Sequence, residues 1–477
     1  MRLLRVLSFL LLASSAGFAA AQQDRALSER MDRIQKRINV VAARAERVDA
    51  VQQLANLQAT FGYLFDKGLW DDVADLFAEN GCLELGLNGV YVGRDSMRSY
   101  LYSLSGGRLG LRHGQVNNHF QVQPVITLSE DGQSARARWN TLIQTADFDE
   151  SGHGGEWGAG VYENEYVKED GVWKISRMRL YLEFYAPYEH GWTGAPADMT
   201  ERYLTSEVPP DRPPSGDHRP YPAFDVAPFH YDHPVRSGYR FELSGAEKQR
   251  AMHAAPPVMS DGTVSALEAQ VRDLELRVER LKAYHAIENI ASTYGYYVDQ
   301  SMGDAVADLF VEDGTLEILG RGVFIGKPRI TTYMRRLGCC GPVEGTLYNH
   351  FQIQPVIHVS DDAKTAKMRA RLMVMFARDE QSAQWGEGVY ENTFVNDRGV
   401  WKYRNLHAFQ TFYTTYEDGW GRYASPLFSY FDGFPPDRPH SIEYEPYPAY
   451  YVPPFHYPNP VTGKPIRVPE SAQGESE

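Results

Sequence analysis

The chain has 477 residues, more than one hydrophobic core organises, with 43% hydrophobic and 23% charged residues and a net charge of −14. That composition excludes a disordered chain, and an acidic balance without a long basic run argues against nucleic acid or an anionic membrane surface as partner. The three cysteines, Cys82, Cys339 and Cys340, cannot all pair within one chain and show no zinc-ligand spacing, so no metal or other cofactor is expected.

Residues 1–21 read as an export signal: Arg2 and Arg5, a short apolar run from Leu7 to Ala13, then Ala19-Ala20-Ala21 as a small-residue cleavage site. The run is too short for a membrane span. A mature chain starting near Gln22, periplasmic or secreted, is expected. Residues 24–50 follow a heptad, with Leu27, Met31, Ile34, Ile38, Val41, Ala45 and Val48 stepping by four and three. An apolar seam of this kind is unfavourable in water, so pairing is expected, either within the chain or with a second copy of it.

Residues 51–193 form the first folded unit. A helix carrying Tyr63 and Asp66 leads into a short amphipathic helix over Asp71 to Phe77. Asn88-Gly89 signals a hairpin turn, and a third helix follows "GRDSMRSYL". Strands are expected over Asn118 to Leu128, Ser134 to Asp147 and Gly158 to Lys168, with a partner after Trp173. A Pro-rich arm occupies residues 194–262. The pattern then restarts: a heptad helix at 263–283 (Val264, Leu267, Val271, Leu274, Val278, Leu281), a second unit at 284–422 and a second arm at 423–477.

The restart is a tandem duplication. "NHFQVQPVI" at Asn118 returns as "NHFQIQPVI" at Asn349. "EWGAGVYENEYVKEDGVWK" at Glu156 returns as "QWGEGVYENTFVNDRGVWK" at Gln384, and even the arms share "PFHY" at Pro228 and Pro454. Helices first and mostly antiparallel strands afterwards make each copy an α+β fold: a curved sheet with helices on one face. The two copies are expected to sit as an intramolecular pseudo-dimer.

Chemistry-bearing residues recur in both copies. On a strand, His119, Gln121 and Gln123 share one face, as do His350, Gln352 and Gln354. On the helix before, Tyr63 and Asp66 lie three apart, as do Tyr296 and Asp299, in apolar surroundings where a carboxylate needs a partner, a cap or a cavity. Tyr63 and Tyr162 are candidates to polarise a carbonyl or phenol oxygen as hydrogen-bond donors. Trp157 and Trp385 are candidates to wall a pocket or, equally, to fill a core or interface. His230 and His456 in the repeated "PFHY" read as packing residues. No phosphate-binding loop or serine nucleophile elbow is present.

In order and spacing, the helix-borne aspartate, "ADLFAENG", the strand "NHF" and "VYEN" before "DGVWK" resemble the SnoaL-like polyketide cyclase family, over roughly 51–192 and 284–420. That family shares its cone-shaped fold with nuclear transport factor 2, scytalone dehydratase and ketosteroid isomerase. The resemblance implies two tandem cone-shaped α+β barrels. It also implies catalytic pairs Asp66 with His119 and Asp299 with His350, by likeness to the dehydratase's helix aspartate and strand histidine. The dehydratase's second active histidine has no counterpart near Gln144 or Met375, and its active asparagine falls near Tyr162 and Tyr390. The expected function is cofactor-independent acid/base chemistry (dehydration, isomerisation, or aldol or retro-aldol cleavage) on a small apolar or aromatic oxygenated substrate, in both copies. Tyr63, Gln121, Trp157, Tyr162, Tyr296, Gln352, Trp385 and Tyr390 are the expected substrate contacts. A non-catalytic ligand-binding or assembly module is the alternative.

Overall fold

A computed structural model describes residues 2–147, 154–194, 208–216, 218–223, 226–232, 235 and 263–476. Most of the expected first arm and the side chains of the expected export segment lie outside the described residues.

The first copy runs α1 (Arg2–Asp66), α2 (Trp70–Asp75), β1 (Phe77–Leu85), β2 (Tyr91–Val92), α3 (Arg94–Ser103), β3 (Gln115–His119), β4 (Val122–Leu128), β5 (Ser134–Asp147), β6 (Glu156–Glu169) and β7 (Val172–Pro187). The second repeats it as α4 (Val264–Asp299), α5 (Gly303–Asp308), β8 (Phe310–Ile318), β9 (Val323–Ile325), α6 (Lys327–Leu337), β10 (Thr346–Val359), β11 (Thr365–Arg378), β12 (Ser382–Asp397) and β13 (Val400–Thr415). Each copy is a curled mixed sheet, ordered β2-β1-β7-β6-β5-β3 with β4 also on β5, and β10-β11-β12-β13-β8-β9. The β1–β7 and β8–β13 pairs are parallel and the rest antiparallel. The α+β cones therefore form as expected, twice.

Three local expectations change. Each heptad stretch is continuous with the helix that carries the aspartate: no proline falls between the two, and α1 and α4 run unbroken through Gly62 and Gly295. Residues after Asp75 and Asp308 turn directly into β1 and β8 rather than extending the helix. In the repeated "NHFQ" string, Gln123 and Gln354 adopt positive φ of 54° and 56°. The resulting bulge shifts the register of β4 between Val122 and Val125 and that of β10 between Ile353 and Val356. Alternation thus breaks at this glutamine, and in the second copy Gln354 turns out of its own sheet towards the first, donating from Nε2 to the Ala59 carbonyl at 3.0 Å.

The copies hold each other through side chains from both. Trp157 packs edge-on against Trp385 and Trp420, with centroids 5.7 and 4.7 Å apart, and Trp420 donates its indole N–H to the Thr145 carbonyl at 2.9 Å. The two long helices meet as well, Gln35 Nε2 donating to Gln270 Oε1 at 2.8 Å. Leu27, Ile34, Val41 and Val48 stay exposed along α1.

The "PFHY" segments explain their own repetition. His230 Nδ1 lies 2.8 Å from Glu163 Oε2 while Arg138, paired with the same glutamate, stacks on Phe229 at 4.1 Å. His456, Glu391, Arg369 and Phe455 reproduce this in the second copy. The C-terminal arm then crosses to the first copy, where Tyr450 donates to the Lys67 carbonyl at 2.6 Å and Arg467 pairs with Asp72 and Asp75.

Candidate active site

Asp299 is the last residue of α4, the end of a helix where the macrodipole disfavours a negative charge. Strong donors must hold it, and His350 supplies two: its backbone N–H at 2.7 Å and its ring Nδ1 at 3.2 Å, both to Oδ1. Gly295, one turn earlier, makes this approach possible. A Cβ there would stand 2.6 Å from the His350 carbonyl oxygen, so only glycine lets α4 lie this close to β10. With Nδ1–H donated to the carboxylate, the neutral ring keeps its lone pair on Nε2.

His350 lines a cavity of about 310 Å³. Its walls are apolar over Val298, Met302, Val306, Leu372 and Phe376, and carry the phenols of Tyr294, Tyr390 and Tyr413. Burial raises all three phenols well above the ordinary tyrosine range, so they stay protonated donors. Tyr294 and Tyr390 lie edge-on, with ring centroids 6.2 Å apart. An imidazole oriented by a carboxylate, phenolic donors and an apolar wall can move a proton on a bound small molecule and stabilise the oxygen charge that develops.

The first copy keeps the same two residues and closes the space around them. Trp70 stands where the second copy has Gly303, and Phe65 where it has Val298. Trp70 is 1% exposed, donates its indole N–H to Ser105 Oγ at 2.8 Å and packs on Phe65, which in turn lies edge-on to His119 with centroids 4.7 Å apart. Gly303 and Val298 instead border the open cavity. The hollow that Asp66 borders holds only about 20 Å³.

Asp66 is also differently engaged. Its Oδ1 accepts the His119 backbone N–H at 2.6 Å, but the His119 ring Nδ1 stays 3.9 Å away. Its Oδ2 is ion-paired with Arg371 of the second copy, and that guanidinium also reaches Glu387 Oε1 at 2.9 Å and Asn118 Oδ1 at 3.3 Å. Burial pushes the Asp66 carboxyl up to about 6 against the pull of Arg371. Burial, helped by the same positive charge, lowers the His119 imidazole to about 3. The expectation of two equivalent open sockets therefore does not fit the geometry: apolar side chains fill the first, and its aspartate is tied to Arg371.

Of the expected contacts, only Tyr390 meets the cavity. Tyr162 is buried in the filled first core, edge-on to Phe61 with centroids 6.2 Å apart. Tyr63 points between the copies and donates to the Gln354 carbonyl at 2.8 Å, whereas its counterpart Tyr296 is 70% exposed. Three residues along a helix is about 300° of turn, enough to carry either tyrosine off the aspartate's line. Gln121 is buried against Gln58 and Gln354 at the junction, and Gln352 lies half-buried on β10 away from the cavity wall. Trp157 and Trp385 are interface residues, the latter donating to the Tyr188 hydroxyl at 2.9 Å. Sequence reasoning overlooked Tyr294, Tyr413 and the Arg371–Glu387 pair. The differences between the copies held the signal: Gly303 for Trp70, Arg371 for Asn140 and Glu387 for Ala159.

Residues 46–179 and 279–407 each match the SnoaL-like domain, together more than half of the chain. The chain belongs to the SnoaL-like family. Solved structures similar to one SnoaL-like copy include a putative scytalone dehydratase from Novosphingobium aromaticivorans, 21% identical over 32% of this chain and 95% of that one, TM-score 0.26. Others are a hexachlorocyclohexane dehydrochlorinase, 19% identical over 29% and 91%, TM-score 0.26, and ActVI-ORFA from Streptomyces coelicolor, 12% identical over 27% and 96%, TM-score 0.24. No curated protein matches this SnoaL-like chain.

Proposed function

We propose that the second SnoaL-like copy is a cofactor-independent acid/base enzyme of the lyase or isomerase type, acting on a small apolar or aromatic oxygenated substrate, and that the first copy is its scaffold. One observation carries this reading: the His350 ring sits 3.2 Å from Asp299 at the wall of a cavity of about 310 Å³. His350 Nε2 takes a proton from carbon or oxygen of the substrate. Asp299 orients the ring and stabilises the imidazolium, and a phenol among Tyr294, Tyr390 and Tyr413 donates to the oxygen that gains charge. Returning the proton at another atom completes an isomerisation; returning it to a departing hydroxyl completes a dehydration.

A probe that needs only a base in an apolar cavity is 5-nitrobenzisoxazole, whose C–H proton is removed as its N–O bond breaks to give a coloured phenolate. Wild-type protein should accelerate this reaction. His350→Ala should lower the rate by about 10²-fold, the usual contribution of a positioned base. Asp299→Asn should lower it less, and His119→Gln should leave it unchanged. A His350→Ala protein as fast as wild type would remove the assignment.

A further inference from the structure

The cavity's charge points to the substrate's chemistry. The chain carries a net charge of −14, yet the cavity wall contains Arg321, Arg336 and Arg378 and no aspartate or glutamate. Among the described residues, none of these three arginines is in an ion pair. The matching positions of the filled copy hold Asn88, Ser103 and Asp147, so all three cations occur only where the cavity is open. Two of them are held by contacts that leave the charge uncompensated. Arg321 stacks over Phe428 and Phe431, 4.2 and 5.1 Å from the ring centroids, and Arg336 lies 5.0 Å from the Phe434 ring and donates to the Asp432 carbonyl at 3.2 Å. A stacked guanidinium keeps its edge N–H groups for a planar, two-oxygen acceptor.

Arg321 sits in the turn between β8 and β9, and His350 lies on β10, at the two opposite edges of the six-stranded sheet. Curling of the sheet brings both edges onto one cavity.

Resting on the acid/base reading of this site, we propose that the substrate is a small, largely apolar or aromatic monocarboxylic acid. Its carboxylate docks on Arg321, with Arg336 and Arg378 supplying the surrounding positive field, and its reacting atom faces His350. Arg321 is half-buried while Arg336 and Arg378 are exposed at the cavity rim, so a bound ligand desolvates Arg321 above all, and an entering carboxylate relieves that cost where a neutral ester cannot.

The test is equilibrium binding by calorimetry of benzoate, 4-hydroxybenzoate and cinnamate, each against its methyl ester, with phenyl phosphate as a second anion. At least one acid should bind the wild-type protein ten-fold or more tighter than its ester. Arg321→Gln should remove that preference while changing ester affinity less than three-fold, and Arg321→Lys should keep part of it. If Arg321→Gln fails to fold, Arg336→Gln and Arg378→Gln must each reduce the preference. Equal binding of acid and ester, no binding by any acid, or phenyl phosphate binding ten-fold tighter than every acid would overturn the carboxylate assignment. His350→Gln should keep the preference whatever it does to benzisoxazole turnover, so a failure of the acid/base reading and a failure of this one are told apart.

Discussion

Arg371 of the second copy reaches through the junction to hold the carboxylate of Asp66 in the first, and the two side chains are 1% and 3% exposed. The same guanidinium also neutralises the buried Glu387. Because the partners come from different copies, this contact exists only in the assembled chain.

Removing Arg371 would leave two buried carboxylates without their cation. Arg371→Met is expected to destabilise the protein by about 3–5 kcal/mol, the usual loss when one member of a buried ion pair is removed. Urea unfolding checks this, and Asp66→Asn combined with Arg371→Met should recover part of the loss. A change below about 1 kcal/mol would mean that the pair does not join the copies.

Filling the open cavity by copying the closed one should separate activity from stability. Val298→Phe installs the side chain that the first copy carries as Phe65. It should suppress benzisoxazole turnover by at least ten-fold while the thermal midpoint stays level or rises, since the new ring occupies empty space. The converse change, Trp70→Ala, empties a fully packed site and should cost about 3–5 kcal/mol with no effect on the rate per folded molecule.

Acid should weaken the protein through His119. Its folded value, about 3, lies below the ordinary histidine value near 6.5, so between these limits the unfolded chain binds a proton that the native chain does not. The stability it contributes is full above pH 6.5 and is lost as pH falls towards 3. Asp66 works the other way: its folded value near 6 exceeds its ordinary 3.8, which favours the native state on acidification between those values. Comparing wild type with His119→Gln cancels most of the Asp66 contribution. The stability difference between them should shift against wild type by about 2 kcal/mol from pH 6.5 to pH 5, at about 1.4 kcal/mol per pH unit. A difference that does not change with pH would rule out a neutral buried His119.

The C-terminal arm is expected to stabilise the copy it does not belong to. Asn459 and Arg467 satisfy the Asp72 carboxylate, which is 2% exposed, and Val452 and Ala472 lie in the first copy's core. Deleting residues 450–477 should therefore make residues 51–193 more sensitive to protease than residues 284–422, as mass spectrometry of the fragments would show. Equal sensitivity would contradict a cross-copy clasp.

Duplication, the α+β order of elements and the hairpin at Asn88-Gly89 were legible in the residues, because each depends on local periodicity or on a string that occurs twice; the pairing of the helix aspartate with the strand histidine came from the family resemblance. The alignment of the copies also contained, unread, the substitutions that separate them. Their meaning depends on which side chains converge: Trp70 is one more aromatic residue until Phe65 and Ser105 are seen around it, and Arg371 is one more strand arginine until Asp66 of the other copy meets it.

By itself the amino-acid order determined that two α+β units form and that each carries an aspartate on a helix and a histidine on a strand, whose pairing only the family resemblance implied. Only the tertiary structure decided that one cone is solid and the other hollow, and that arginines line the hollow one. Cavity volume and buried charge are properties of many side chains meeting from distant positions, so no local pattern encodes them.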